Sequence, residues 1–235
     1  MVYPSIASNI KAVLDGIRLA AVGAGRSSSA VRLIAATKAV PVEQIREAID
    51  AGIRILGENR LQEALGKMSA IGSRDDVTWH FIGRLQRRKA RAVVGRFSLI
   101  HSVDSLELAA ELDRRAGMAG IRQPVLVEVN IAGEPTKAGF TPAALATALA
   151  ALDGMANLVI QGLMTVPPIA QQPEDSRPHF RRLRELAGSF AGKGFKRIRM
   201  DELSMGMSHD YRIAVEEGAT MVRVGTAIFG ERPDA

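Results

Sequence analysis

Val31-Arg32-Leu33-Ile34-Ala35-Ala36-Thr37-Lys38 is an apolar, β-branched run that ends in one lysine, and Pro41 follows three residues later. Such a stretch reads as a buried strand delivering a lysine at its C-terminal tip, just before a helix opens at Pro41. A lysine in that place is costly unless it is paired or deprotonated, so chemistry explains it better than decoration. Taken alone it could also turn out to solvent, and the other strand ends have to decide.

Upstream, Ile6, Ile10, Val13, Leu14 and Ile17 recur with helical period and predict an N-terminal helix that stops at Gly23-Ala24-Gly25. Downstream, Val42, Ile45 and Ile49 share one face of a helix ended by Gly52. Residues 53–56 read as a short strand, followed by Gly57-Glu58-Asn59 and a helix to about Met68. Further strands are predicted at 77–82, 97–101, 124–129, 158–163, 199–203 and 221–224. The helices between them are predicted at 87–94, after Asp104 with Glu107 as a capping-box-like start, from Thr141-Pro142, at 176–190 and at 208–217. Eight strands alternating with helices argue for an α/β fold of one domain over 1–235, a (β/α)₈ TIM barrel from about 31 to 230 with an extra N-terminal helix. The competing open, doubly wound sheet lacks a GxGxxG after any strand.

With 235 residues, 47% of them hydrophobic, the chain suits one sizeable domain or two small ones, and no composition break marks a boundary. It has no cysteine, which excludes disulfides, thiolate metal sites and cysteine nucleophiles, and no metal site is expected. Lys11, Asp15 and Arg18 interrupt the apolar runs near the N-terminus, so a signal peptide is not expected. No run approaches the roughly 20 apolar residues of a membrane span, and a cytoplasmic protein is the expectation. The net charge of +6 suits anionic partners, from nucleic acid to small phosphates. Positive residues gather at Arg84, Arg87, Arg88, Lys89, Arg91 and Arg96, and again over 177–199, where Phe180, Leu183, Leu186, Ala187 and Phe190 mark an amphipathic helix. Aromatics make up only 4% and do not interleave with the basic residues, so nucleic acid is disfavoured as a partner.

In a barrel of this kind, function gathers at the C-terminal ends of the strands. Those ends carry Lys38, Gly57-Glu58-Asn59, Gly83, His101-Ser102, Asn130, Met164-Thr165, Ser204-Met205-Gly206-Met207-Ser208 and Gly225-Thr226. The segment ending in Ser208 leads into a helix, so its backbone N–H groups and the Ser208 hydroxyl suit a phosphate. Gly225-Thr226 adds donors after strand eight, where barrels commonly bind phosphate. Ordinary capping by Ser208 and a tight turn at Gly225 are the plainer explanation, and the phosphate site is favoured over it. A lysine and a phosphate cradle in one mouth suggest a phosphorylated aldehyde held as a Schiff base, and pyridoxal 5′-phosphate fits. Arg223 lies two residues before Gly225 and points inward, either towards the pyridine nitrogen or into an ion pair with Glu128. A permanent cation against that nitrogen keeps it unprotonated and makes the ring a poorer electron sink. That favours holding the aldehyde, or a racemase with strong bases nearby.

Gly57-Glu58-Asn59, His80-Phe81-Ile82-Gly83, Ser102-Val103-Asp104-Ser105 and residues 203–208 and 222–230 together resemble the YggS/PROSC family of pyridoxal phosphate homeostasis proteins. That family shares the barrel of alanine racemase's N-terminal domain, and the resemblance runs from about Leu33 to Gly230. It implies that Lys38 carries the internal aldimine, that Arg223 faces the pyridine nitrogen, and that Ser208, Gly225 and Thr226 bind the phosphate. It also implies that Asn59 lines the cofactor pocket. Lys137 matches a lysine the family carries, a loop residue first and a second aldehyde acceptor only second. Arg60 and Arg88 stand where the family commonly has an aromatic and an asparagine, adding positive charge near the mouth. His209 is expected to be exposed and without a role.

By this resemblance the chain binds and delivers pyridoxal 5′-phosphate in intracellular vitamin B6 and amino-acid homeostasis, with apo-enzymes as recipients and no catalytic residue of its own. A lone barrel with a charged surface is expected to be a monomer. The alternative is a racemase, which needs an acid or base on each face of the substrate. In the alanine racemases a tyrosine from a separate β-domain supplies one of them, and with Ala235 as the last residue that domain is not expected here. The two tyrosines, Tyr3 and Tyr211, are not obvious bases. A more remote alternative, a Schiff-base aldolase on a sugar phosphate, would need a carboxylate or tyrosine beside the lysine. Glu58 is its one candidate, and a helix N-terminal carboxylate is the plainer reading of Glu58.

Overall fold

The computed structural model describes residues 5–168 and 170–231; Tyr3 lies outside them. Eight strands run parallel and pair in chain order: β1 (Arg32–Ala36), β2 (Ile55–Glu58), β3 (Thr78–Phe81), β4 (Leu99–Val103), β5 (Gln123–Glu128), β6 (Leu158–Met164), β7 (Ile198–Ser204) and β8 (Met221–Val224). Pairing of β8 with β1, with Ala35 beside Val224, closes the barrel. The helices that alternate with the strands are α2 (Val42–Asp50), α3 (Leu61–Ile71), α4 (Ala90–Val93), α5 (Leu106–Met118), α6 (Pro142–Asp153), α7 (Arg177–Phe190), α8 (Tyr211–Glu216) and α9 (Thr226–Phe229). The extra helix α1 (Ile6–Gly23) precedes them.

Strand alternation sorts the side chains into two cores. Leu33 and Ala35 on β1, like Val222 and Val224 on β8, face the helices, whereas Ile34, Leu99, Leu126, Met164 and Met221 meet one another inside the barrel. The inward series on β1 continues from Ile34 through Ala36 towards Lys38, and on β8 from Met221 through Arg223 towards Gly225. Polar side chains therefore begin one step above an apolar floor. The β6 backbone presses so closely on β7 that a Cβ at Gly162 would lie 1.9 Å from the Glu202 carbonyl oxygen, so only glycine fits.

Helix α1 buries Ile10, Val13, Ile17, Ala20 and Ala21 and is tied to α9 by the Asn9 amide donating to the Ile228 carbonyl at 2.9 Å. Its Gly16 is pressed against Tyr211, whose hydroxyl would be 2.3 Å from a Cβ there. On α7 the basic residues do more than face solvent, because Arg177, Arg181 and Arg184 converge on the Glu217 carboxylate at 3.2, 2.9 and 3.2 Å.

Several element ends differ from the sequence expectation, each because a particular contact sets the end. Residues 87–94 form a 3-10 turn (Arg87–Lys89) running into the short α4, stopped by Gly95 at φ 76°. The cap of α5 is Ser105, whose hydroxyl accepts the Leu108 N–H, and not Asp104, which instead accepts from Ser105 and pairs with Arg84 at 3.7 Å. A 3-10 turn (Pro173–Ser176) takes Ser176, the first residue expected in α7. Helix α8 starts at Tyr211 rather than at Ser208, because Asp210 occupies the cap position.

Candidate functional site

The deepest member of the site is Arg223, 5% exposed. Its Nη1 donates to the Ser204 carbonyl at 2.8 Å and to the Ser204 hydroxyl at 2.5 Å, and its Nη2 donates to the Thr165 carbonyl at 2.8 Å. Burial lowers its pKa to about 10 while Glu128 and Asp210 pull the other way, so it remains a cation at neutral pH. The expected alternative, an ion pair with Glu128, gives way to this fork of neutral oxygens, and Glu128 acts on Arg223 through its field.

Beside it, at the ends of β7 and β8, the Ser208 hydroxyl accepts the N–H groups of Gly225 and Ala227, both at 3.2 Å. Ser208 therefore bridges the loop after β7 to the first turn of α9 and is not the start of a helix itself. Asp210 stands at the cap position without capping through its side chain, and its carboxylate takes the Met207 N–H at 2.7 Å and the Ser176 hydroxyl at 3.0 Å. Gly206 brings this loop down onto α8: at φ 90°, a Cβ there would stand 2.5 Å from that of Ala214. Gly225 is buried, whereas Thr226, the first residue of α9, is exposed at the rim.

Across the β8–β1 seam, Lys38 is half-buried between two unusual neighbours. Thr37 donates its N–H to Gly57 at 2.9 Å, and its hydroxyl to Glu58 at 2.5 Å. Ala39 takes a left-handed backbone, φ 56°, uncommon for a residue with a Cβ. Glu58 is not at a helix N-terminus but at the end of β2 and fully buried, where one oxygen also accepts from Lys67 at 2.8 Å. Burial raises its pKa, against the hydrogen bonds from Lys67 and Thr37. Asn59 follows directly, and its main chain lies so close to Gly83 that a Cβ there would be 2.3 Å from the Asn59 carbonyl oxygen.

Beneath the mouth runs a buried polar chain. His80 Nδ1 lies 3.0 Å from His101 Nε2, and His101 Nδ1 lies 2.8 Å from the Ser204 hydroxyl that holds Arg223. On the β2–β5 side the mouth opens into a cleft of about 870 Å³ lined by Asn59, Arg60, Arg84, Arg87, Lys89 and Lys137. Lys137 is a loop residue there, paired with Glu134 at 2.7 Å. His209 is exposed, as expected.

All six residues singled out from the sequence (Lys38, Asn59, Ser208, Arg223, Gly225 and Thr226) thus stand at the C-terminal ends of β1, β2, β7 and β8. An amine, a hydroxyl with backbone donors and a buried cation share one rim, an arrangement that fits a flat ligand bearing an aldehyde and a phosphate. The family model of the alanine racemase N-terminal domain matches residues 19–233. The pyridoxal phosphate homeostasis protein of Aquifex aeolicus is 46% identical over 220 residues, covering 94% of this chain and 95% of its own length. The chain belongs to the pyridoxal phosphate homeostasis proteins. The Pseudomonas aeruginosa member of this family is 41% identical over 230 residues, covering 97% of this chain and 96% of its own. The structure of PipY from Synechococcus elongatus with PLP bound superposes with a TM-score of 0.79 at 40% identity, covering 92% of this chain and 99% of that one.

Two groups escaped the sequence reading in this family member. The first is Lys67 with Glu63, detectable as an i, i+4 pair on one helix face but with nothing to show that the face is buried against Lys38's strand. The second is the His80–His101 pair. His101 was visible as a strand-end residue, yet its partner lies on another strand and only closure of the barrel joins them.

Proposed function

We propose that this chain binds pyridoxal 5′-phosphate at the barrel mouth and serves its homeostasis, holding the cofactor rather than transforming substrates with it. The observation that carries this reading is the Arg223 fork, a buried cation fixed by Ser204 and Thr165 beneath a rim that also holds Lys38 and the Ser208 bridge. Bound there, the cofactor supplies an aldehyde carbon that bonds to an amine nitrogen with loss of water, and a ring that withdraws electrons. Lys38 is the amine. Arg223 would face the ring nitrogen and, having no site to accept a proton, would keep that nitrogen unprotonated and make the ring a poorer electron sink. Ser208, Gly225 and Thr226 would receive the phosphate, and Asn59 would line the cofactor pocket.

PLP bound to PipY and the names of the relatives support this reading. So does Tyr211, which is packed against Gly16 of α1 outside the barrel and is therefore no base over the mouth. The aldolase alternative loses support because Glu58 is fully buried, one oxygen held by Thr37 and Lys67 and the other without a partner. In this reading the protein works as one domain and as a cytoplasmic monomer, with PLP-dependent apo-enzymes as recipients. Among the described residues no helix is long and apolar enough to cross a membrane.

Borohydride reduction of the protein mixed with pyridoxal 5′-phosphate, followed by peptide mass mapping, tests the reading. A phosphopyridoxyl group confined to the Lys38 peptide is the expected result. Labelling spread over surface lysines, with Lys38 unmodified, would overturn it.

A further inference from the structure

The residues on either side of Lys38 are tied to the same helix. Lys67 of α3 donates to the Thr37 carbonyl, to Glu58 and to Glu63. Glu63, one helical turn before it, accepts the N–H of Ala39 at 2.5 Å. The Thr37 carbonyl belongs to the peptide plane that precedes the Lys38 Cα, and the Ala39 N–H belongs to the plane that follows it. Since each peptide is rigid, anchoring both planes sets φ and ψ of Lys38 and with them the direction of its Cα–Cβ bond. That second tie falls within a turn, closed by the Val40 N–H donating to the Thr37 carbonyl at 3.0 Å, in which Ala39 takes the left-handed backbone that a Cβ resists. Lys67 is 6% exposed and joined to two carboxylates, so the clamp is a built and rigid one.

We propose that Glu63 and Lys67 are positioning residues that aim the Lys38 amine into the barrel mouth and so set the rate at which it captures an aldehyde. The proposal rests on the reading of Lys38 given above. Neither residue touches the ligand. Their contribution is orientation: a strand-end lysine on a loose backbone samples many directions, whereas one with both flanking peptides fixed samples few. Burial alone would raise the Glu63 carboxyl, but Lys67 and the Ala39 N–H outweigh it and hold it low, which keeps the acceptor charged across the neutral range.

The test compares two ligands in wild type, Glu63→Ala, Glu63→Asp and Glu63→Gln. Pyridoxal 5′-phosphate reports covalent capture at Lys38, timed by borohydride quenching and peptide mapping. Pyridoxine 5′-phosphate has the same ring and phosphate without the aldehyde, and its affinity by calorimetry reports the rest of the site. E63A should capture about tenfold more slowly while binding pyridoxine 5′-phosphate as wild type does, since orientation and not binding is lost. E63D keeps the charge beside Lys67 but is too short for Ala39, so it should be equally slow while melting above E63A. E63Q keeps an oxygen for the Ala39 N–H and should recover most of the rate. Capture at the wild-type rate in E63A and E63D would overturn the proposal, and so would a parallel loss of capture and of pyridoxine 5′-phosphate affinity. Failure of the wild type itself to be labelled at Lys38 would refute the cofactor reading instead.

Discussion

His80 on β3 and His101 on the neighbouring β4 meet inside the barrel with ring centroids 5.1 Å apart, Nδ1 of the first 3.0 Å from Nε2 of the second. Both rings are buried, and burial is the main force lowering their pKa values, His80 to about 4 and His101 well below its usual range. Arg32 adds to it for His80; His80, Arg223 and Arg32 add to it for His101. With neutral rings the donors run in one sense along the chain, either from the Ser204 hydroxyl through His101 to His80 or from His80 Nδ1–H through His101 to Ser204. Because Ser204 also accepts from Arg223, the pair props up the fork from below.

The histidines should make the protein acid-labile. A folded pKa below the unfolded 6.5 means that the native state binds fewer protons, so this stability is present above about pH 6.5 and is lost as pH falls towards 4. For His80 the loss is on the order of 3 kcal/mol. Urea unfolding from pH 7 to pH 4.5 should show a flatter decline in His80→Gln than in wild type. Identical slopes would assign the acid lability to groups elsewhere.

Glu128 should act in the opposite sense. Burial, reinforced by Asp104 and opposed by Arg223 and Arg84, raises its pKa to about 7. The native state then holds a proton that the unfolded chain has released, so this contribution is complete below about pH 4.5 and lost as pH rises through 7. Glu128→Gln removes the titration and should gain about 3 kcal/mol over wild type at pH 8, with no gain at pH 4.5. Denaturant titrations at the two pH values check this, and an equal difference at both would show that the carboxyl does not titrate in that range.

Removing the Arg223 fork strips donors from two buried carbonyls. Arg223→Met should cost about 3 kcal/mol, and Arg223→Lys, which keeps the charge without the fork, about half of that. Thermal unfolding measures both. The same variants should bind pyridoxal 5′-phosphate at least about tenfold more weakly, as expected for a lost charged contact. Wild-type stability in R223M would contradict the hydrogen bonds described.

Gly162 should tolerate nothing larger. Its Cβ would lie 1.9 Å from the Glu202 carbonyl oxygen and 2.7 Å from the carbonyl carbon, and both are main chain with nowhere to go. Gly162→Ala is expected to lose more than about 3 kcal/mol or to fail to fold. Gly188→Ala on exposed α7, where nothing lies within 4 Å, should instead gain about 0.5–1 kcal/mol. Thermal melts of the pair separate packing from helix propensity, and similar melting points would refute the close approach.

Much of this molecule was legible from local pattern. Strand and helix order follows from periods of two and about 3.6, which neighbouring residues impose on one another, and the apolar runs before Lys38 and Gly225 locate two strand ends directly. Helix ends were read less well. Asp104 and Ser105 are both good caps, as are Ser208 and Asp210, and composition cannot choose between adjacent candidates when a distant partner decides. Asp104 goes to Arg84, and Ser208 goes to the N–H groups of Gly225 and Ala227.

Alternation along a strand says that Arg223 points inward, but not that Ser204 of β7 and Thr165, just past the end of β6, will accept its hydrogen bonds. It marks Lys38 as a strand-end amine without showing that Glu63 and Lys67 hold the peptides on both sides of it. His80 and His101 belong to different strands, and Ser204 is 103 residues beyond His101. Periodicity is a property of neighbours along the chain, whereas these contacts exist only after eight strands have closed into a ring and removed water from its interior. In that low dielectric each buried polar atom must find a partner, and the geometry of closure decides which partner is within reach.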